Sequence, residues 1–111
     1  MKDSFSYDEY SDSLIVSNRQ ENEKVRENFE VGDIIFSLTG KGKIVAIEIR
    51  EASSFLESCN INPNILKNLK EISLAIMPKK DTIFLVLKIK SLEGTNLISK
   101  NVPLVMPLIN Q

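Results

Sequence analysis

The sequence predicts an α+β fold: a twisted antiparallel β-sheet of hairpins, with one or two short helices in the middle of the chain. Three observations support this prediction. Short runs of alternating apolar and polar residues occur on both sides of the middle, as expected of strands with one buried face. Turns that contain glycine, proline or asparagine separate these runs. Between the two groups of strands, apolar residues recur at helical spacing.

Five strands are predicted before the helices. They cover residues 5–7, 14–17, 25–31, 33–38 and 43–49. The last two form the clearest hairpin, because the turn between them reads Thr-Gly-Lys-Gly and glycine supplies the positive φ that such turns require. In the fifth strand, Val45, Ile47 and Ile49 share one face. We therefore expect Ile47 to be fully buried between the sheet and the helix that follows.

Two helical segments are predicted next. Residues 52–59 place apolar side chains at helical spacing, and Ser54 with Glu57 three residues later fits a capping box. Asn62 and Pro63 are typical of a second helix start, as N-cap and first helical residue. The helical part is therefore expected to be broken just before Asn62.

Strands are predicted again at residues 72–77 and 82–90, followed by an apolar tail over residues 102–109. Pro103 and Pro107 each lack a backbone donor, so the tail is expected to be an edge strand or an extended arm. Two alternatives explain its apolar side chains: they pack on their own domain, or they form the interface of a homodimer. The candidate interface residues are Leu104, Val105, Met106, Leu108 and Ile109.

Length and composition predict one globular domain. Its 111 residues, 42% hydrophobic and 26% charged, are ordinary for such a domain. We expect β-hairpins at 5–55, a helical segment at 54–70 and C-terminal strands at 71–109, all within a single domain over residues 1–111. No stretch is typical of a secretory signal or reaches the ~20 apolar residues of a membrane span, so the predicted location is the cytoplasm.

The absence of histidine argues against most enzyme classes. It removes the commonest general acid and base, the commonest metal ligand and every Ser-His or Cys-His relay. The single cysteine, Cys59, excludes an intramolecular disulfide and falls at a core position of the first helix, where a buried filler is expected. The sequence therefore predicts a protein that is not an enzyme and binds no cofactor.

Charge is unevenly distributed along the chain. Residues 1–30 carry a net charge of −4 and residues 31–111 a net charge of +3. The basic second half favours, as an alternative function, a nucleic-acid-binding accessory protein, although only Phe84 is available there for stacking. The Gly-Lys turn at residues 39–43 lacks the spacing of a nucleotide phosphate loop. The lysines concerned are Lys67, Lys70, Lys79, Lys80, Lys88, Lys90 and Lys100.

Two segments carry a family resemblance. The first has a Tyr-Asp pair, an Asp four residues later and an apolar strand; the second has a glycine turn and an Ile-Glu-Ile run followed by Ala-Ser. Over residues 5–55 the chain resembles the small prokaryotic proteins called domain of unknown function 2283, although Ala46 stands where the family usually has Gly. The residues involved are Tyr7, Asp8, Asp12, Leu14, Ile15 and Val16, then Gly42, Ile44, Val45, Ile47, Glu48, Ile49, Ala52 and Ser53.

The resemblance implies a small β-rich fold with a helix, and no established activity. Some members of the family look like antitoxin partners of small toxins, which implies a class of function only. The most favoured function is accordingly a non-catalytic protein-interaction or regulatory module, with an antitoxin-like role as one form of it.

The third alternative is an enzyme with a metal bound by carboxylates. Asp8, Asp12 and Glu48 would form a carboxylate cluster if the first hairpin packs beside the fifth strand, and hard cations prefer such oxygen ligands. The competing interpretation is that Asp8 and Asp12 shape their turn through side-chain to backbone hydrogen bonds. That interpretation is favoured, so no metal is predicted.

Overall fold

The computed structural model describes residues 3–107, which form eight strands, one α-helix and one 3₁₀ helix. Before the helices come β1 (Ser4–Asp8), β2 (Ser13–Ser17), β3 (Val25–Val31), β4 (Ile34–Thr39) and β5 (Ile44–Ile49). The helical part consists of α1 (Ala52–Ser58) and a 3₁₀ helix (Pro63–Asn68). After it come β6 (Leu69–Pro78), β7 (Thr82–Glu93) and β8 (Asn96–Pro107). The predicted α+β class, with antiparallel strands and two short helices after the fifth strand, is confirmed.

The first five strands form an antiparallel sheet in the order β1-β2-β5-β4-β3. Its register aligns two rows of apolar side chains across all five strands. Both rows lie on the same face of the sheet, because every second residue of a strand points to the same side. The central members of these rows are buried, and this face therefore lines the core. One row is Phe5, Val16, Ile47, Phe36 and Phe29; the other is Tyr7, Leu14, Ile49, Ile34 and Val31.

The last three strands form a second antiparallel sheet in the order β6-β7-β8. Its inner face supplies apolar side chains to the same core cluster as the first sheet. The buried residues of this face are Ile72, Leu74, Leu85, Leu87, Ile89, Val102 and Leu104. The two sheets thus share one core, and the chain is held together by burial of both inner faces.

The helices connect the two sheets and add side chains to the core. Ala52 and Leu56 of α1 are buried, as are Ile65 and Leu66 of the 3₁₀ helix. Ser91 is the buried polar residue of β7, and its hydroxyl donates to the carbonyl of Ile65 at 2.9 Å, which fixes the 3₁₀ helix on the second sheet. In the described part of the chain, no helix is both long and apolar enough to cross a bilayer.

Two local predictions about the helices have different outcomes. Asn62 accepts a hydrogen bond from the backbone N–H of Asn64 and Pro63 is the first residue of the 3₁₀ helix, as predicted. The capping box at Ser54 is wrong, because α1 already begins at Ala52 and Ser54 lies inside it. The helix has no side-chain cap from its own N-cap residue, and its first N–H groups are satisfied by a distant turn described below.

Two further differences concern the strands. The sequence predicted one sheet, whereas the strands divide into two, because the helical connection carries the chain across the core to a second layer. The strand predicted for the tail begins earlier, at Asn96, directly after the β7–β8 turn. Its placement at a sheet edge is confirmed, which explains how Pro103 is tolerated in the middle of β8.

Replacement of Ile47 by alanine tests the register of the first sheet. Ile47 is 1% exposed, so we expect Ile47→Ala to lower the free energy of unfolding by about 2–5 kcal/mol, through lost burial and the cavity left behind. Ile15→Ala is the matched control, since Ile15 lies on the outward face of the same sheet and is 42% exposed. Its cost should stay below about 1 kcal/mol in urea unfolding. Equal losses for the two variants would show that the register is wrong.

Candidate functional site

The residues that carry the family resemblance meet at the turn between β1 and β2. Asp12 Oδ1 accepts hydrogen bonds from Tyr7 Oη at 2.6 Å and from Ser53 Oγ at 2.9 Å. The backbone N–H of Ser53 donates to both carboxylate oxygens of Asp12, at 3.1 and 3.2 Å. The N–H of Ala52 donates to the Asp12 carbonyl at 2.9 Å. Asp12 therefore caps α1 from 41 residues away.

This remote cap compensates for an abrupt connection. The chain passes from β5 to α1 through Glu51, which has φ 52° and makes no side-chain cap. The first N–H groups of a helix have no partner within the helix, and a nearby negative charge also complements its dipole. Asp12 itself has φ 56°, a conformation that Asp and Asn adopt more readily than most residues. Both ends of the contact thus depend on left-handed backbone positions.

The same contact shifts the pKa values of Asp12 and Tyr7 in opposite directions. Burial alone would raise the pKa of Asp12, but the hydrogen bonds from Tyr7 and Ser53 outweigh it and hold that pKa below its ordinary value of 3.8. Burial and the hydrogen bond to Asp12 raise the pKa of Tyr7 above its ordinary value of 10.0. Near neutral pH the pair is therefore a phenol donating to a carboxylate.

The carboxylate cluster considered as an alternative is not assembled in the structure. Asp8 is occupied within its own turn, where its carboxylate accepts from the N–H of Tyr10 and the hydroxyl of Ser11, both at 3.0 Å. Glu48 lies on the outward face of the first sheet, opposite Ile15 and away from α1. Within residues 3–107 no group of three or more acidic or cysteine side chains is arranged to hold a metal ion. The turn-shaping interpretation fits Asp8, whereas the side chain of Asp12 bonds Tyr7 and the distant Ser53 instead of the backbone of its own turn.

An exposed apolar surface lies on the outer face of the second sheet. Met77, Phe84 and Val105 are direct cross-strand neighbours and are 45%, 38% and 49% exposed. The adjacent row on the same face is also apolar, whereas the next row is Ser73, Lys88 and Asn101. We call the two apolar rows the outer patch; its members are Ala75, Met77, Phe84, Val86, Pro103 and Val105. A contiguous apolar patch of this kind is typical of an interaction surface.

The tail residues that were candidates for an interface do not share one face, because successive side chains of β8 point to opposite sides of the sheet. Leu104 is 6% exposed and belongs to the core, so its assignment to an interface is wrong. Val105 points the other way and belongs to the outer patch. Met106 pairs with Ile83 in the register of β8. Leu108 and Ile109 lie outside the described residues.

The sheet edges are less suited to binding than the outer patch. Along β8, Pro103 and Pro107 lack the N–H that an added strand would need. On the β6 edge, the N–H of Leu74 is already bonded to Asp3 Oδ2 at 2.7 Å. At the far edge of the first sheet, β3 is rich in charged residues and has a register shift between Val25 and Glu27. Charges and bulges of this kind discourage edge-to-edge pairing.

The lysines of the second half do not form one basic face. Lys67 pairs with Glu9 at 3.6 Å and Lys90 with Glu71 at 3.5 Å, both on the surface. Lys79 and Lys80 lie in the turn between β6 and β7. Cys59 is half-buried against the core, which agrees with its predicted filler role.

Comparison with known proteins concerns the first sheet. Residues 4–53 match the model of the family described as Protein of unknown function (DUF2283). The resemblance is confirmed. The DUF2283 segment begins with the first residue of β1 and ends at Ser53, the residue whose N–H and hydroxyl bind Asp12. It therefore comprises the five-stranded sheet and the contact that caps α1. Searches of the curated proteins and of the solved structures found no match.

The second sheet, with the outer patch, lies beyond the DUF2283 segment. Sequence reasoning missed this patch, although a signal for it was present. Residues 82–87 read Thr-Ile-Phe-Leu-Val-Leu, without the polar alternation of a half-exposed strand. A strand with two apolar faces requires cover on both sides. The residues of the Asp12 contact were all noted in the sequence, but nothing in it showed that they touch.

Replacement of Asp12 by asparagine tests the remote cap and its pH dependence. Asn tolerates the left-handed backbone of this position, so Asp12→Asn removes the charge with little added strain. We expect the free energy of unfolding to fall by about 1–3 kcal/mol near neutral pH. Because the pKa of Asp12 is lowered in the folded state, its stabilisation is present above pH 3.8 and is lost as pH falls through the folded-state pKa. The difference in unfolding free energy between the variant and the parent should therefore disappear at a pH below the folded-state pKa of Asp12.

The control for this experiment is Asp8→Asn, which changes the same turn and the same charge. The hydrogen bonds of Asp8 are exposed and local, so the expected loss is below about 0.5 kcal/mol. Urea unfolding of the three proteins at neutral and acidic pH provides the comparison. Parallel pH curves for the parent and Asp12→Asn would contradict the role given to Asp12.

Proposed function

We propose that the chain is a non-catalytic protein-interaction module, that its contact surface is the outer patch, and that its partner is a second copy of the chain in the cytoplasm. The observation that carries the proposal is the cross-strand row of Met77, Phe84 and Val105. All three are more than one third exposed, and they lie side by side on adjacent strands of the second sheet. Isolated exposed apolar residues are common on protein surfaces, but such a row is not.

The geometry favours face-to-face packing over strand addition. The edges of the second sheet are interrupted by Pro103 and Pro107 in β8 and by the Asp3 carboxylate at β6, whereas Met77, Phe84 and Val105 of the outer face are exposed within residues 3–107. Twofold homodimers are the commonest soluble assemblies, and a symmetric pair buries the same patch twice. A standard interface buries about 800 Å² per partner, more than one row supplies. The polar row beside the patch would form the rim of that interface.

A charge placed in the patch should dissociate this dimer. We expect the parent protein to sediment as a dimer at about 50 μM and Val105→Lys to sediment as a monomer, since the variant would place two ammonium groups in an apolar interface. Leu97→Lys is the matched control. Leu97 is an exposed aliphatic residue, at 58%, of the same strand and the same face, but it lies outside the patch.

Circular dichroism of both variants checks that they are folded. A parent protein that is monomeric at this concentration, or a Val105→Lys protein as dimeric as its parent, would contradict the dimer. Truncation at Lys100 is unsuitable as a test, because it would delete Val102 and Leu104 from the core. An antitoxin-like or regulatory role would require the same patch to contact a second protein, and Val105→Lys would disrupt that complex as well.

The absence of catalysis is a separate prediction. We expect no hydrolase or transferase turnover from the purified protein, because the chain has no histidine and the acidic side chains of residues 3–107 form no group of three that could hold a metal. Assays with generic ester, phosphodiester and peptide substrates provide the test. A turnover that is lost in Asp8→Asn or Glu48→Gln would contradict this prediction and favour the carboxylate-metal alternative.

A further inference from the structure

A basic cleft lies at one end of the first sheet, between the β4–β5 turn and the connection from β2 to β3. Its volume is about 420 Å³, within the range of ligand-binding clefts. Two segments that are distant in sequence build it, so no local sequence pattern predicts that their charges meet. The polar residues that matter in its lining are Glu23, Lys24, Arg26, Thr39, Lys41 and Lys43.

The positive charge of this cleft is only partly compensated. Lys43 Nζ pairs with Glu23 Oε2 at 2.6 Å. Glu23 is the one acidic side chain among the lining residues described. Within residues 3–107, none of Lys24, Arg26 and Lys41 forms an ion pair, although the whole chain carries a net charge of −1. Charges of one sign gathered in a cleft raise the local potential and attract ligands of the opposite sign.

The turn that presents these charges is ordered by its own hydrogen bonds. Thr39 Oγ1 accepts from the N–H groups of Lys41 and Lys43, at 3.3 and 3.2 Å, and the N–H of Gly42 donates to the Thr39 carbonyl at 2.9 Å. Gly40 lies beside the stem of Arg26, since a Cβ built at this position would be 3.4 Å from Arg26 Cγ, an ordinary contact distance. Lys41 and Lys43 are therefore carried by a turn with a defined backbone.

Lys41 and Lys43 also border the space between the β4–β5 turn and the second sheet. A second opening, of about 310 Å³, is bordered by Lys41 and Lys43 on one side and by Ile76 and Ile83 on the other. These two isoleucines flank the β6–β7 turn, which carries Lys79 and Lys80. The four cations of the cleft lining outnumber its one acidic side chain, which suits a ligand that carries several negative charges, such as linked phosphates. The cleft lining described contains no aromatic side chain for base stacking.

We propose that this cleft binds the phosphate backbone of a nucleic acid, without reading its sequence. Lys24, Arg26 and Lys41 supply the phosphate contacts. Lys43 would add a fourth contact if its ion pair with Glu23 opened. Such binding is driven by release of counterions and depends steeply on salt. The site is separate from the outer patch, and its success or failure is independent of the dimer.

The test is fluorescence anisotropy of a labelled duplex of about 16 base pairs, titrated with the full chain at several salt concentrations. We expect a Kd of about 1–100 μM at low salt, in the range of non-specific binding. Three phosphate contacts predict a slope of roughly −3 in log K against log salt. Lys41→Ala should weaken binding about threefold to tenfold and reduce the magnitude of the slope by about 1.

Lys70→Ala is the control, because it removes the same charge from an exposed residue at the start of β6, outside the cleft. Its affinity and salt slope should match those of the parent. Equal effects of Lys41→Ala and Lys70→Ala would overturn the proposal, as would the absence of binding at about 100 μM protein in low salt. Inorganic tripolyphosphate is the second probe: if it binds in a Lys41-dependent manner and the duplex does not bind, the nucleic-acid assignment is wrong.

Discussion

The contact between Asp12 and the start of α1 determines how the two halves of this chain meet. Asp12 lies in a tight turn of the first hairpin, and Ser53 follows the last strand of the same sheet, so their hydrogen bonds close the sheet onto the helix. These bonds fix the direction in which α1 starts, and the helices then lead the chain across the core to the second sheet. Burial of the two inner faces supplies most of the stabilising free energy, but it is non-directional. The hydrogen bonds of the Asp12 carboxylate to Ser53 are directional, and they orient the connection from β5 to α1.

This arrangement gives a physical reason for the residues of the DUF2283 segment. Tyr7 and Asp12 are five residues apart on either side of one turn, and Tyr7 donates to the carboxylate that also holds Ser53. The acidic residues in this pattern invite a catalytic interpretation when only the sequence is considered. In the folded chain their hydrogen bonds are to the backbone and to hydroxyl groups of the same domain. The contacts of Asp8 and Asp12 are therefore explained by structure, and the surfaces that we propose for function lie elsewhere.

Two such surfaces are of different character. The outer patch is apolar and lies on the second sheet, beyond the DUF2283 segment, whereas the basic cleft is formed by turns of the first sheet. Each would favour a different class of partner: an apolar face buries area against another protein, and a cluster of lysine and arginine attracts phosphates. The net charge of −1 gives no indication of this cleft, because it sums charges over the whole chain, whereas the cleft brings together four cations and one acid.

The sequence by itself determined the class of fold, the strands up to β5, the break before Asn62 and the burial of Ile47. These features follow from local periodicity and turn chemistry, which act over a few residues. Only the tertiary structure decided that the strands form two sheets, that Asp12 caps a helix 41 residues away, and that Leu104 and Val105 point to opposite faces with different roles. It also brought Lys24 and Arg26 beside Lys41. Such contacts depend on which elements pack together, because side chains distant in sequence meet only after the inner faces of the sheets have been buried.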